Sequence, residues 1–403
     1  MSFAFGVVLF ALALGLSVAI HEFGHLLTAK GFGMKARRYF IGFGPKIWSF
    51  RYGETEYGLK ALPAGGFVDI EGFTHLEEVA PEDGPRAFWR FPAWKRFIVL
   101  VSGSFTHFVI AFVVLYCTAV SLGLPTSKAI VATVTKCVPD ESKSGKALPC
   151  TGDSGPAFQA HLRKGDEIVA VNGDKVKDYT ALVTTLRSKP GQRISLTYIR
   201  DGQRRTAQMT LPAVTRAPLP GEKKNVDGLA TVGAIGVSPA SLEVFGPVSA
   251  VAATGRFTGT VINSTFGAIG RFPDKVPQLV SALEGHKRDP DGPISVVGAS
   301  RIGGEAVAAG SWLFFLFLLA SFNIFIGIFN LFPLLPMDGG HVAVLLFEQV
   351  RSWFARLRNK ADPGRVDLAK LMPVTFVVIL LFGGISVLTI LADVVNPINV
   401  SFQ

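Results

Sequence analysis

The sequence predicts a polytopic α-helical membrane protein with four transmembrane helices, a membrane-associated β-hairpin region and one extracytoplasmic α/β domain. Three observations lead there. Of 403 residues, 49% are hydrophobic and only 17% charged, where a soluble domain carries about 25% charged residues; the mean hydropathy is +0.39. Four stretches, roughly 3–28, 97–122, 312–335 and 372–391, are apolar over more than the ~18 residues at which a spanning helix becomes credible. The basic residues are also sorted along the chain. Lys30, Lys35, Arg37, Arg38, Lys46, Arg51, Lys95 and Arg96 lie between spans one and two, and Arg351, Arg356, Arg358, Lys360, Arg365 and Lys370 lie between spans three and four.

That sorting fixes an orientation. Neither the first 29 residues nor the tail 391–403 contains Lys or Arg. The positive-inside rule then places both basic loops in the cytoplasm, and both termini and the long segment between spans two and three outside. The net charge of +10 reads as topology signal and lipid anchoring. Nucleic-acid binding is not expected, because no folded basic module accompanies the charge. The first span lacks the basic n-region of a signal peptide, so a retained helix is expected.

The chain divides into four parts. Residues 1–124 hold the first two spans, joined by "RRYFIGFGPKIWSFRYGETEYGLKALPAGGFVDIEG". This loop reads as short strands separated by Gly turns, and its apolar content suits a hairpin dipping into the membrane under protein cover. Residues 125–214 read as a compact α/β module. "AIVATVT" and "RISLTYIR" alternate as strands, "ALVTTLRS" has helical spacing, and Asn172-Gly173 marks a hairpin turn. The run Gly-Asp-x-Ile-x-x-x-Asn-Gly within this order resembles a PDZ domain, a fold that captures extended peptides at a sheet edge. Cys137 and Cys150 bracket a short polar insert; outside the cell two close cysteines read as a disulfide. Cys117, inside span two, reads as a core residue. Residues 215–309 read as a linker followed by an amphipathic interfacial helix or a packed surface helix. "GPISVVGASRIGG" is a Gly-punctuated run before span three, and residues 310–403 hold the last two spans.

Polar groups interrupt two of the spans. Span one ends in His21-Glu22-Phe23-Gly24-His25, an HExxH motif. Positions i and i+4 share a helix face, so both imidazoles reach one metal ion, with Glu22 placed to act on a water. Two histidines leave a catalytic metal site one ligand short. Asp69, Glu71 and His75 are candidates beyond the Gly-rich loop. The stronger candidate is Asp338, at the break after span three in "SFNIFIGIFNLFPLLPMDGGHVAVLLFE", where Pro333 and Pro336 interrupt the helix. A carboxylate at membrane depth marks a functional site by default, and its expected partner is the histidine pair. His341 is a rival ligand close by.

HExxH in a first span, with N-x-x-P-x-x-P-x-D-G in a later one, resembles the site-2 protease family of intramembrane zinc metalloproteases. "YFIGFGP", "ETEYGLKALPAGGFV" and a single PDZ module between spans two and three extend the resemblance over nearly the whole chain, closest to the actinobacterial branch. The resemblance implies one Zn2+ ion held by His21, His25 and Asp338, with Glu22 as general base. It implies Asn330, Gly65, Gly66 and Phe67 as the residues that hold an unwound substrate. It further implies single-span membrane substrates such as anti-sigma factors, a bacterial plasma-membrane location, a site towards the cytoplasmic side, and substrate screening by the PDZ module. One stretch departs from the family pattern. Where many relatives have Gly-Pro-x-x-Asn, this chain reads Gly103-Ser104-Phe105-Thr106-His107, which puts a histidine where a hydrogen-bonding amide is expected. The alternative readings are a non-catalytic PDZ-bearing membrane scaffold, which predicts no bound metal, and a metal or proton transporter, which would show internal repeats; none is seen.

Overall fold

The structure, a computed structural model, describes residues 2–73, 79–142, 148–150, 152–219, 222–225, 227–286, 288–289, 292–398 and 400. In chain order the elements are helix α1 (Ser2–Gly31), strands β1 (Ala36–Tyr52) and β2 (Thr55–Ile70), helix α2 (Ala93–Ser121), strands β3 (Leu124–Pro125) and β4 (Val131–Val134), helix α3 (Pro156–Gln159), strands β5 (Glu167–Val171) and β6 (Asp174–Lys175), and helix α4 (Tyr179–Arg187). Then come strands β7 (Arg193–Arg200), β8 (Gln203–Thr210), β9 (Ala213–Arg216), β10 (Ala230–Gly233), β11 (Val237–Pro239) and β12 (Leu242–Glu243). Helices α5 (Pro247–Gly270), α6 (Phe272–Leu283), α7 (Val296–Ala308), α8 (Trp312–Asn330), α9 (Asp338–Leu357) and α10 (Met372–Val395) complete the chain. The elements form two compact units, Met1–Val120 with Gly246–Gln403, and Ser121–Phe245.

In the first unit, four helices among the described residues are long and apolar enough to cross a membrane: Ser2–Gly31, Ala93–Ser121, Trp312–Asn330 and Leu368–Val395. The third stops at Asn330 rather than near residue 335. Pro333 has no N–H to give and disfavours helical backbone in the residue before it, so 331–337 turns instead. Glycines at 339 and 340 let that turn fold back onto the start of α9. A Cβ at 339 would lie 2.2 Å from the Leu331 carbonyl group, and one at 340 would lie 2.5 Å from Leu335 N.

The Gly-punctuated run before span three is helix α7, packed along α1. Gly6 faces Val307 and Gly304, and Gly303 faces Phe10, at distances a Cβ would fill. Phe10, Ala299, Ala306, Val307 and Phe315 form a buried cluster there. Small residues give membrane helices this close approach. Cys117 is exposed on α2, which corrects its reading as a core residue: a spanning helix turns much of its apolar surface outward.

Strands β1 and β2 pair antiparallel, and each is bent. Phe40 therefore has Phe67 as one Cα partner and Gly58 as another, while Phe50 pairs with Tyr57. One run of β2, residues 66–70, reaches α1: Val68 N–H donates to Glu22 Oε2 (3.1 Å). From β1, Tyr39 O–H donates to the Ala19 carbonyl (2.7 Å).

In the second unit the main sheet has the order β6-β5-β7-β8, with β4 paired to β11, β9 to β10 and β3 to β12. Ile194, Leu196 and Tyr198 alternate inward from β7 onto Val131, Ile168 and Leu182. Asp166 of the Gly-Asp run is buried, takes both Arg200 Nε and Nη2 at 2.7 Å, and accepts from Arg163 N. Because β10, β11 and β12 pair back onto earlier strands, the unit extends to Phe245. Residues 215–245 belong to it, rather than to a linker. Cys137 and Cys150 are joined by a disulfide, their Cα atoms 6.1 Å apart.

Candidate active site

The last turns of α1 carry His21 and His25, both buried. Two features bring α2 close enough to shape this face. Gly24 packs where a Cβ would meet Thr106 Cγ2 at 2.8 Å and the Ser102 carbonyl oxygen at 2.9 Å. Gly103 lies against the imidazoles themselves: a Cβ there would be 2.2 Å from His25 Nε2 and 2.8 Å from His21 Nε2.

Asp338, the first residue of α9, completes a cluster. Its Oδ2 lies 3.2 Å from His21 Nε2 and 3.4 Å from His25 Nε2, and the two Nε2 atoms are 3.2 Å apart. The positive end of the α9 dipole favours a carboxylate at that position. His25 Nδ1 lies 2.6 Å from the Val99 carbonyl. A carbonyl only accepts, so the His25 proton is on Nδ1 and its Nε2 carries a lone pair. Asp338 Oδ2 has no hydrogen-bond partner among the described residues. The ligand atoms of His21, His25 and Asp338 thus converge from two distant segments, an arrangement that suits a cation. Edges of 3.2, 3.2 and 3.4 Å belong to a tetrahedron whose centre is about 2.0 Å from each vertex, the zinc–nitrogen and zinc–oxygen bond length. His21, His25 and Asp338 therefore fit a tetrahedral metal with one open position.

Glu22 stands beside this cluster and is fixed from the other side. Val68 N–H holds Oε2, and Gly66 passes over the side chain so closely that a Cβ would lie 3.2 Å from Glu22 Cγ. Gly66 and Phe67 pair with Ile41 and Phe40. Gly65 has φ +133°, with Phe43 packed against it. Asn330 is the half-buried last residue of α8.

The other candidates are engaged elsewhere or lie outside the site. Asp69 pairs with Arg37 and Arg38, and Glu71 with Arg37. His341 packs against the Phe73 ring, centroids 5.0 Å apart. His75 lies outside the described residues. Reading the sequence did not find the Val99 carbonyl or the close approach of Gly103. Their signal is the spacing 99, 103, 107, one α2 residue per turn on a single face.

A buried histidine pair, a convergent carboxylate and an adjacent glutamate on apolar helices define a membrane-embedded metallopeptidase. Residues 9–373 match Peptidase family M50. Zinc metalloprotease Rip1 of Mycolicibacterium smegmatis is 42% identical over 411 residues, covering 99% of this chain and 100% of that protein. Zinc metalloprotease Rip1 of Mycobacterium tuberculosis (strain H37Rv) is 43% identical over 407 residues, covering 99% of each. Among solved structures, the PDZ domain of an SdrC-like protein from Listeria monocytogenes covers 29% of this chain and 92% of its own at 18% identity, with a TM-score of 0.19. The chain belongs to peptidase family M50, the site-2 proteases, and is a multi-pass membrane protein.

Proposed function

We propose that this enzyme is an intramembrane zinc endopeptidase that cleaves single-span membrane proteins within their membrane segment. The observation that carries the reading is the convergence of His21 Nε2, His25 Nε2 and Asp338 Oδ2 beside a glutamate held at Oε2. Family membership and relatives named as zinc metalloproteases make it a zinc metalloprotease rather than a scaffold. Zinc held by these three atoms supplies a Lewis acid that polarises the scissile carbonyl and makes a water acidic near neutral pH. The protein's own groups do the rest. Val68 N–H engages Glu22 Oε2, leaving Oε1 to take a proton as the water oxygen adds to the carbonyl carbon. The C–N bond then breaks, and Glu22 returns that proton to the leaving amine.

A helical substrate has its carbonyls tied to its own N–H groups, so it must unwind to react. The 66–70 run, with Gly66 and Phe67 above Glu22, is where an unwound segment would pair as an added strand, and Asn330 would hold its backbone. We place both termini and the PDZ-like unit outside the cytoplasm, and the site towards the cytoplasmic side of a bacterial plasma membrane. The sorting of basic residues supports this orientation. The PDZ-like unit would take up extended peptide ends. The test is Glu22→Gln in liposomes with a single-span substrate. Zinc content should stay at one per chain while cleavage falls by at least 100-fold, the scale of a lost general base. Cleavage retained by Glu22→Gln would remove Glu22 from this role.

A further inference from the structure

Each zinc-binding imidazole needs its second nitrogen held, because that contact fixes the tautomer and the ring orientation. His25 has this contact in the Val99 carbonyl. His21 does not: its Nδ1 is buried without a hydrogen-bond partner among the described residues. To ligate through Nε2, His21 must carry its proton on Nδ1, so the orphan is a donor waiting for an acceptor.

The imidazole beside His21 on α2 is His107. Its ring lies 5.1 Å from the His21 ring, centroid to centroid, tilted by 41°, and it is 1% exposed. Its Nδ1 lies 2.9 Å from Asn323 Oδ1. Which atom of that amide faces His107 is settled by its other end: Asn323 Nδ2 donates to the Leu319 carbonyl (2.9 Å), so the oxygen is the one turned to His107. Oδ1 only accepts, so the His107 proton is on Nδ1 and its Nε2 carries a lone pair. Asn323 is itself fully buried and belongs to α8, so the bond ties α2 to α8 beside the ligands.

We propose that His107 is the positioning residue of His21: locked by Asn323, its Nε2 accepts the Nδ1 proton that His21 carries when it ligates zinc. A centroid separation of 5.1 Å is within reach of an N–H···N bond between two imidazoles. The α2 stripe would then serve both ligands, Val99 for His25 and His107 for His21, with Gly103 between them making room. This inference rests on the zinc site proposed above.

The test uses the full chain in detergent as wild type, His107→Leu, His107→Asn and Asn323→Leu. Zinc affinity is read by chelator competition, and ligand geometry by the visible bands of the cobalt-loaded protein. His107→Leu should weaken zinc by about 10–100-fold and shift the cobalt bands. His107→Asn, whose amide can engage both Asn323 and His21, should restore most of the affinity and the bands. Asn323→Leu frees the His107 tautomer and should move both readouts in the same direction as His107→Leu; it decides the matter if His107→Leu does not fold. Wild-type affinity and bands in either leucine variant overturn the proposal. So does a loss in His107→Leu that His107→Asn does not restore, since that is a packing role only. A wild-type chain that binds no zinc overturns the proposed function instead.

Discussion

Gly103→Ala is the smallest change that should empty the active site. The added methyl would sit 2.2 Å from His25 Nε2 and 2.8 Å from His21 Nε2 and Cε1, against an ordinary contact limit of 3.4 Å. Relief requires about 1.2 Å of movement between α2 and His25, whereas zinc–ligand distances tolerate only about 0.2 Å. Neither side yields easily. His25 is tethered to the Val99 carbonyl of the same helix α2, and α1 and α2 already touch at Gly24. Overpacking of this size costs about 1–3 kcal/mol of stability, which a folded chain survives. The effect on zinc affinity should exceed the ~100-fold upper range of an outer-contact mutation, because a ligand itself is displaced. The assay is zinc content and chelator competition on monodisperse protein, with Gly255→Ala as control. Gly255 lies in α5 with nothing within 4 Å of its virtual Cβ, so that variant should keep zinc and be neutral or stabilised by up to about 1 kcal/mol. Wild-type zinc affinity in Gly103→Ala would refute the argument that helix α2 walls the site.

Three further predictions concern the scaffold. Arg187 donates from Nε and Nη2 to Glu222, and also to the Ala217 carbonyl, strapping that segment to α4. The Arg187 hydrogen bond holds the Glu222 carboxyl down at about 2 against an ordinary 4.5. Its stabilisation is therefore complete above the ordinary value and is lost as pH falls through about 2. Hydrogen exchange at Leu219, whose N–H donates to Glu222, should stay slow at about pH 5 and become fast in Glu222→Gln at neutral pH; equal protection in that variant argues against the strap. At the end of α10, Asp393 pairs with Arg288 (2.6 Å) and accepts from Ser295 N (2.6 Å), with both side chains buried. Asp393→Ala strands a buried guanidinium and should cost about 3–5 kcal/mol, read as a clear drop in the thermal midpoint in detergent; an unchanged midpoint would show that the pair is not needed. Replacing Cys137 and Cys150 by Ser opens a short loop, worth up to about 3 kcal/mol by chain entropy. Cleavage of that segment by added protease should rise, and identical digestion patterns would count against a stabilising crosslink.

What the sequence made legible follows from the range over which each signal acts. HExxH is local, and helical periodicity alone puts His21 and His25 on one face. Four apolar runs and the sorting of Lys and Arg are similarly one-dimensional, so the spans were visible, although α8 ends at Asn330 because Pro333 stops it. Pairing of Asp338 with the histidines needed more. It rested on the cost of a carboxylate at membrane depth and on a family pattern, because nothing near Asp338 in the chain points to residue 21. Helix α7 stayed hidden: its Gly and Ala residues look like a loop until α1 is laid against them. The second unit ran past residue 214 for a related reason, since β10, β11 and β12 are short and gain their meaning only from strands far earlier in the chain.

The least legible part is the layer behind the metal ligands, and physical chemistry explains why. Val99 contributes a main-chain oxygen, Gly103 contributes an absence, and neither has a side-chain signature. Both matter because a metal needs its ligand atoms on one point, 3.2–3.4 Å apart, and the helices hold them there. Asp338 is held by the turn that Gly339 and Gly340 allow, and His25 by the Val99 carbonyl. Among the described residues the His21 Nδ1 has no partner, and the ring beside it, His107, stands where the family resemblance leads one to expect an amide. The imidazole of His107 links α2 to α8 through Asn323 and lies beside the His21 ring, which places it to hold a metal ligand in orientation.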